Sequence, residues 1–126
     1  MDTRIIVEDI FGLRPGDVNV VRNAGAVATD DALRSLILSR RLLGSNEIVV
    51  MGHTGCGMRD LNDEELRARL EADSGQTSTT HFGSFTDVDA HVRRQVERIA
   101  DHPWIGAVPV HGLVYEVETG RVREVV

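Results

Sequence analysis

Glu47-Ile48-Val49-Val50-Met51-Gly52-His53-Thr54-Gly55-Cys56 is the stretch on which the reading of this chain turns. Glu47 to Met51 is apolar without alternation, the pattern of a strand covered on both faces. The run leaves the strand in a turn that sets an imidazole and a thiol three residues apart. Nitrogen and sulfur donors on one fixed turn suit zinc. Taken alone, a His-x-x-Cys pair is a weak signal, more often a polar turn with a buried thiol than a metal site.

Upstream, Pro15-Gly16-Asp17 is a turn signal and Val18 to Val21 a short apolar strand, ended by Asn23-Ala24-Gly25. A helix follows. Thr29 is its N-cap, Asp30 and Asp31 occupy its first turn, and Leu33, Leu36, Ile37 and Leu43 recur at helical spacing. Gly44 closes it. Downstream, Asn62 with Glu65 resembles a capping box, with Leu61 placed to staple onto Leu66. Ser74 to Ser84, rich in Ser, Thr and Gly, reads as a loop of the kind that serves as a mobile lid. Val88, Val92, Val96 and Ile99 mark a third helix that stops before Pro103. Ala107 to Val110 and Leu113 to Val117 read as extended, and Glu118-Thr119-Gly120 turns into a last strand, Arg121 to Val125. This order predicts an α/β fold, a mostly parallel sheet flanked by helices. Ligands of such sheets sit beyond the carboxyl ends of the strands, where His53 and Cys56 lie.

The 126 residues suffice for one domain with its own core. A formal net charge of −6 argues against a nucleic acid or an anionic membrane as partner. No apolar run approaches the roughly 18–20 residues of a membrane span. The first residues lack the basic and apolar regions of a signal peptide, and the single cysteine fits a reducing compartment, so a cytoplasmic location is expected.

The chain opens Met1-Asp2-Thr3-Arg4, an acid and a base that alone would read as solvated terminal charges. With Arg22-Asn23-Ala24-Gly25, then Thr29-Asp30-Asp31 and Leu33-Arg34-Ser35-Leu36, then His53-Thr54-Gly55-Cys56-Gly57-Met58, it forms an ordered series. That series, with Gly112 to Val117 and Thr119-Gly120, resembles the β-class carbonic anhydrases, most closely their small bacterial branch. The resemblance implies the family fold, a Zn2+ cofactor, and reversible hydration of carbon dioxide to bicarbonate, often in a pocket at a dimer interface. It implies that His53 and Cys56 are zinc ligands. It also implies that Asp2 and Arg4 form the catalytic dyad, in which Arg4 fixes the Asp2 carboxylate and keeps it ionised.

The family has a further cysteine ligand, which would immediately precede Met1, and a strand leading into it. That strand lies between those represented here by Val18 to Val21 and Glu47 to Met51. Three explanations stand: an N-terminally truncated chain or misassigned start, a domain without the strand, or a strand supplied by a partner chain. Taken as residues 1–126, the chain offers Asp2 as third ligand beside His53 and Cys56. Weak zinc binding and low hydration activity are then expected. A sheet lacking a strand exposes edges and apolar surface, which favours a homodimer or higher homo-oligomer. Two alternatives remain: hydrolysis of carbon disulfide or carbonyl sulfide on the same fold, and a non-catalytic bicarbonate-binding, metal-binding or oligomerisation module. Of the other histidines, His91 reads as surface or satisfied core, His81 as a loop residue and His111 as structural, between two strands. Trp104 reads as a packing anchor.

Overall fold

Each helix expected from the sequence forms in the computed structural model, which describes residues 1–126. In chain order the elements are α1 (Val7–Phe11), a 3-10 turn (Ala24–Ala26), α2 (Asp30–Leu42), β1 (Ile48–His53), α3 (Asp63–Ser74), α4 (Val88–Ala100), β2 (Val110–Glu116) and β3 (Arg121–Glu124). The caps explain the helix starts. Thr29 accepts from Ala32 N, Asn62 from Glu64 N and Glu65 N, and Asp87 from Ala90 N. In α2, Asp30 and Asp31 at the start and Arg40 and Arg41 at the end complement the helix dipole. The capping box at Asn62 is one-sided, since the Glu65 carboxylate does not return a bond to the Asn62 N–H.

The sheet order is β1-β2-β3. β1 runs parallel to β2, from Ile48 opposite Val110 to His53 opposite Tyr115; β3 returns antiparallel to β2. The class is α/β as expected, and the sheet is mixed, with one parallel and one antiparallel pairing. Helix α4 covers one face. Its Val92, Val96 and Ile99 pack with Ile48, Val50, Val114, Leu33, Ile105 and Ala28 into the core. Gly52 permits this close approach: a Cβ there would lie 2.8 Å from Val92 Cγ2 and 3.1 Å from Val88 Cγ2.

Four expectations are corrected. Val18 to Val21 joins no ladder, because the position beside it holds no strand, and Val18, Val20 and Val21 stay exposed. β1 is covered on one face only: Ile48, Val50 and Gly52 are buried, while Val49 on the other face is 50% exposed. Ala107 to Pro109 joins no strand, and β2 runs unbroken from Val110 to Glu116, so His111 lies within it and meets Glu47 at 3.0 Å and Glu124 at 3.3 Å. Trp104 is 67% exposed and anchors nothing. It follows a terminating turn after α4, where its carbonyl accepts from Arg41 Nε at 2.7 Å, its N–H donates to His102 Nδ1 at 3.3 Å, and its ring meets only the His102 ring, edge-on at 6.0 Å.

Candidate active site

β1 delivers His53 to its C-terminal end, and the next residue locks the turn. Thr54 N donates to Tyr115 O at 2.9 Å, and Thr54 Oγ1 accepts from Val117 N at 3.1 Å. The turn is therefore tied to β2 on both sides of one residue. Gly55, at φ 60°, takes the left-handed conformation that a side chain would strain, and its carbonyl turns toward the chain start. The half-buried His53 ring has Nδ1 2.9 Å from Thr54 O. A carbonyl can only accept, so Nδ1 carries a proton and, in the neutral ring, Nε2 keeps its lone pair. The orientation of a metal-binding imidazole is set by such a bond to its other nitrogen.

Asp2 and Arg4 form a closed pair. Arg4 N and Nε each donate to Asp2 Oδ1 at 2.9 Å, and Arg4 Nη2 donates to Oδ2 at 2.7 Å. The Arg4 side-chain bonds, aided by its backbone N–H, hold the Asp2 carboxyl far below the usual carboxylate range. The same bond raises the Arg4 guanidinium, with Cys56 a smaller contributor in the same direction. The pair stays charged throughout the physiological range. Its loop is clamped from behind: Arg22 Nη2 donates to Asp2 O at 2.7 Å and Arg22 Nη1 to Ile5 O at 2.9 Å. The Met1 amine donates to Asn23 O at 3.0 Å, and the Asn23 side chain closes on Val27 N and O. Behind this turn His91, buried and stacked on Phe85 at 4.2 Å, donates Nε2–H to Gly25 O at 2.7 Å. The expectation of a satisfied core histidine holds for His91.

The two segments meet. Arg4 Nη2 donates to Gly55 O at 3.0 Å, across 51 residues of sequence, and Asp2 Oδ2 lies 3.7 Å from His53 Nε2. Asp2, Arg4, His53 and Cys56 line one groove of about 1010 Å³, with Val27, Met51 and Met58 among its apolar walls. Cys56 is a free, partly buried thiol. The Ser74 to Ser84 segment does not line this groove. It packs on the start of α3, where His81 bonds Asp63 at 2.7 Å and Arg67 bonds Thr80 O at 3.0 Å.

The donors fit zinc in kind: an imidazole nitrogen with a free lone pair, a thiol, and a carboxylate alongside. In number they are short. No three His, Cys, Asp or Glu side chains are gathered closely enough to hold a metal ion, and both Asp2 oxygens are engaged by Arg4. The Arg22 clamp and the Thr54 lock escaped sequence reasoning. A hydroxyl directly after a strand-ending histidine is a usable signal for the lock; nothing local marks the clamp, whose targets are backbone carbonyls 17 and 20 residues away.

Comparison with known proteins bears on the same residues. The sequence pattern of the carbonic anhydrase family matches residues 1–122. A protein named beta-carbonic anhydrase 1 from Mycobacterium tuberculosis is 37% identical over 126 residues, covering 99% of this chain and 77% of that one. A carbon disulfide hydrolase from Acidithiobacillus thiooxidans is 38% identical over 144 residues, covering 98% of this chain and 72% of that one. The crystal structure of carbonic anhydrase from Streptococcus mutans superposes with a TM-score of 0.95 at 39% identity, over 100% of this chain and 77% of that one.

Proposed function

The chain belongs to the β-carbonic anhydrase family, and on that premise we propose that its groove serves the reversible hydration of carbon dioxide to bicarbonate. One observation carries the reading: the Asp2–Arg4 pair is brought by Arg4 Nη2 onto Gly55 O, inside the His53–Cys56 turn. An acid–base pair and two zinc-type donors, distant in sequence, share one groove. His53 Nε2 and the Cys56 sulfur would hold Zn2+, with the Asp2 carboxylate as the third donor. Bound zinc supplies Lewis acidity that makes water a nucleophile near neutral pH.

The chain's own residues perform the remaining work. Thr54 fixes the imidazole tautomer through its carbonyl, so that Nε2 faces the groove. Arg4 holds the Asp2 carboxylate ionised, as an acceptor that orients a nucleophilic water by one of its protons. Arg22 holds the backbone of both. Val27, Met51 and Met58 give the groove apolar wall suited to a small, uncharged, linear substrate. When Asp2 turns to act as a ligand it must release part of its bonding to Arg4, so metal binding and acid orientation compete for one carboxylate. That competition supports weak zinc binding and low hydration activity for residues 1–126. The exposed apolar surface at Val18, Val20, Val21 and Val49 supports a homodimer or larger assembly, as does the unpaired edge of β1. No helix is long and apolar enough to cross a membrane, and a cytoplasmic setting suits the free thiol.

The test is metal analysis joined to stopped-flow carbon dioxide hydration. Substoichiometric zinc with slow, chelator-sensitive turnover is the expected result. One zinc per chain with full turnover would overturn the competition at Asp2, and no chelator-sensitive hydration at any zinc loading would overturn the enzyme reading. The match to a carbon disulfide hydrolase supports a second reading, hydrolysis of carbon disulfide or carbonyl sulfide. A panel of the three gases separates the two.

A further inference from the structure

A second cavity, of about 1130 Å³, borders the groove at Phe85. Its lining is polar, with Asp63, Arg67, His81 and Ser84 in it, and Phe85 is the one residue that lines both spaces. Phe85 is buried and stacks on the His91 ring at 4.2 Å. Its backbone is seated against the chain that leaves the His53–Cys56 turn. Phe85 N donates to Met58 O at 3.3 Å, and Asp60 N donates to Phe85 O at 2.7 Å. Asp60 adopts the left-handed region, at φ 59°, in giving that bond. On the groove side Phe85 stands with Val27 and Met58.

The backbone leading into Phe85 does not hold itself in place. Residues 76–84 make no backbone–backbone hydrogen bond. Side chains of α3 hold them instead. Asp63 Oδ2 accepts from His81 Nδ1 at 2.7 Å and from Phe82 N at 3.0 Å, while Arg67 Nη1 donates to Thr80 O at 3.0 Å. The Ser84 side chain stands beside the same carboxyl and, with His81 and the Phe82 N–H, pulls it down to about 2 against the effect of burial. Between these contacts Gly83 passes so close to the groove wall that a Cβ there would lie 3.0 Å from Val27 Cγ2. Helix α3 buries no residue and is already capped by Asn62, so its own packing does not call for this carboxylate. One side chain thus gathers His81, Phe82 and Ser84, the segment that ends in Phe85.

We propose that Phe85 is the end wall of the substrate groove and that Asp63 is the positioning residue that keeps it there. The inference rests on the reading of the groove as the substrate site. A small, uncharged, linear molecule is held chiefly by apolar contact. With Phe85 in place the groove ends on a ring. With Phe85 displaced it opens into a cavity lined by charged and hydroxyl groups, and water takes the place of that contact. Asp63 lines the polar cavity and not the groove, so it acts only through Phe85. Its effect therefore falls on substrate binding and leaves the chemical step as it is.

The experiment compares the unaltered 126-residue chain with Asp63→Ala, Phe85→Leu and the double variant. All should fold, since α3 buries no residue and leucine keeps an apolar side chain in place of Phe85. In Asp63→Ala, without metal, amide exchange should rise at least about tenfold at Phe85 and at Asp60. The Val27 methyl and His91 ring signals should shift by NMR, while the His53 ring signal stays as it is. With zinc, at equal loading, KM for carbon dioxide should rise at least about threefold and kcat should stay within about twofold. Phe85→Leu should raise KM to a similar extent, and adding Asp63→Ala to it should raise KM by less than about 1.5-fold further. Unmoved exchange and unmoved signals in Asp63→Ala overturn the proposal. So does a fall in kcat at unchanged KM, and so do KM effects that multiply in the double variant. Absence of chelator-sensitive hydration in the unaltered chain overturns the substrate reading instead, and exchange with NMR then decides alone whether Asp63 holds Phe85.

Discussion

Replacing Gly52 with alanine tests how the packing of α4 sets the position of His53. The new Cβ would stand 2.8 Å from Val92 Cγ2 and 3.1 Å from Val88 Cγ2, both on the helix that covers the sheet. Ordinary carbon contact begins near 3.4 Å, so α4 and β1 must separate by about 0.6 Å or Val92 must leave its rotamer. Overpacking of this kind costs ~1–3 kcal/mol. For a chain of this size each kcal/mol moves Tm by about 3–5 °C, interpolating between small and mid-sized domains, so a fall of about 3–15 °C is expected by calorimetry. The cause is identified by a double-mutant cycle. Val92→Ala alone leaves a void in the core and costs ~2–3 kcal/mol. In the double variant the shorter side chain removes the clash and the alanine methyl fills part of the void. The pair should therefore cost less than the sum of the singles by ~1–2 kcal/mol. An unchanged Tm for Gly52→Ala, or singles that add within ~0.5 kcal/mol, would refute the claim that this contact spaces helix from strand.

Thr54→Val removes the acceptor of the partly buried Val117 N–H, with an expected loss of ~1–3 kcal/mol in urea unfolding and a shifted His53 ring signal by NMR. Cys56→Ser and His53→Ala should each lower zinc per chain, by plasma mass spectrometry, below that of the unaltered protein under the same dialysis. Asp2→Asn removes the charge that Arg4 holds and should reduce hydration at least about tenfold at equal zinc loading, by stopped flow. Burial pushes the His91 imidazole below its ordinary pKa, with Arg94 acting in the same direction and the Gly25 bond opposing. The native state therefore binds fewer protons than the unfolded state below about pH 6.5, and stability should fall as pH drops through that value and level off above it. His91→Gln should flatten that dependence in urea midpoints measured from about pH 5 to 8.

How far the sequence revealed the fold depended on where each signal was local. Thr29, Asn62 and the apolar spacing of Val92, Val96 and Ile99 act within one or two turns, and each helix they mark is present. The strands depended on partners. Ile48 to Met51 forms a strand because Val110 to Leu113 lies beside it, whereas Val18 to Val21, equally apolar, has nothing to pair with and forms none. Exposure of Val49 was hidden for the same reason: an unbroken apolar run predicts two covered faces, and only assembly shows that one cover is absent. At the site, the resemblance implied both the residue types and that Asp2 and Arg4 lie beside His53 and Cys56; the contacts that join them were not legible. These are Arg4 reaching Gly55 O and Arg22 gripping two carbonyls, bonds between side chains and backbone that leave no pattern in the sequence.

The two halves of the candidate site are held by different anchors, and this decides how each responds when one anchor is cut. The His53–Cys56 turn hangs from β2 through Thr54, on the paired side of β1. The Asp2–Arg4 loop hangs from Arg22 and Asn23, at the end of the unpaired Val18 to Val21 segment. Arg22→Ala would remove both carbonyl bonds that hold the Asp2–Arg4 loop and none of those at Thr54. The change in order therefore falls on the acid–base pair. Hydrogen exchange and Arg4 side-chain relaxation should loosen there in this variant, while the His53 ring signal stays as it is. Equal changes in both halves would show that they share one anchor, and the separation argued here would fail.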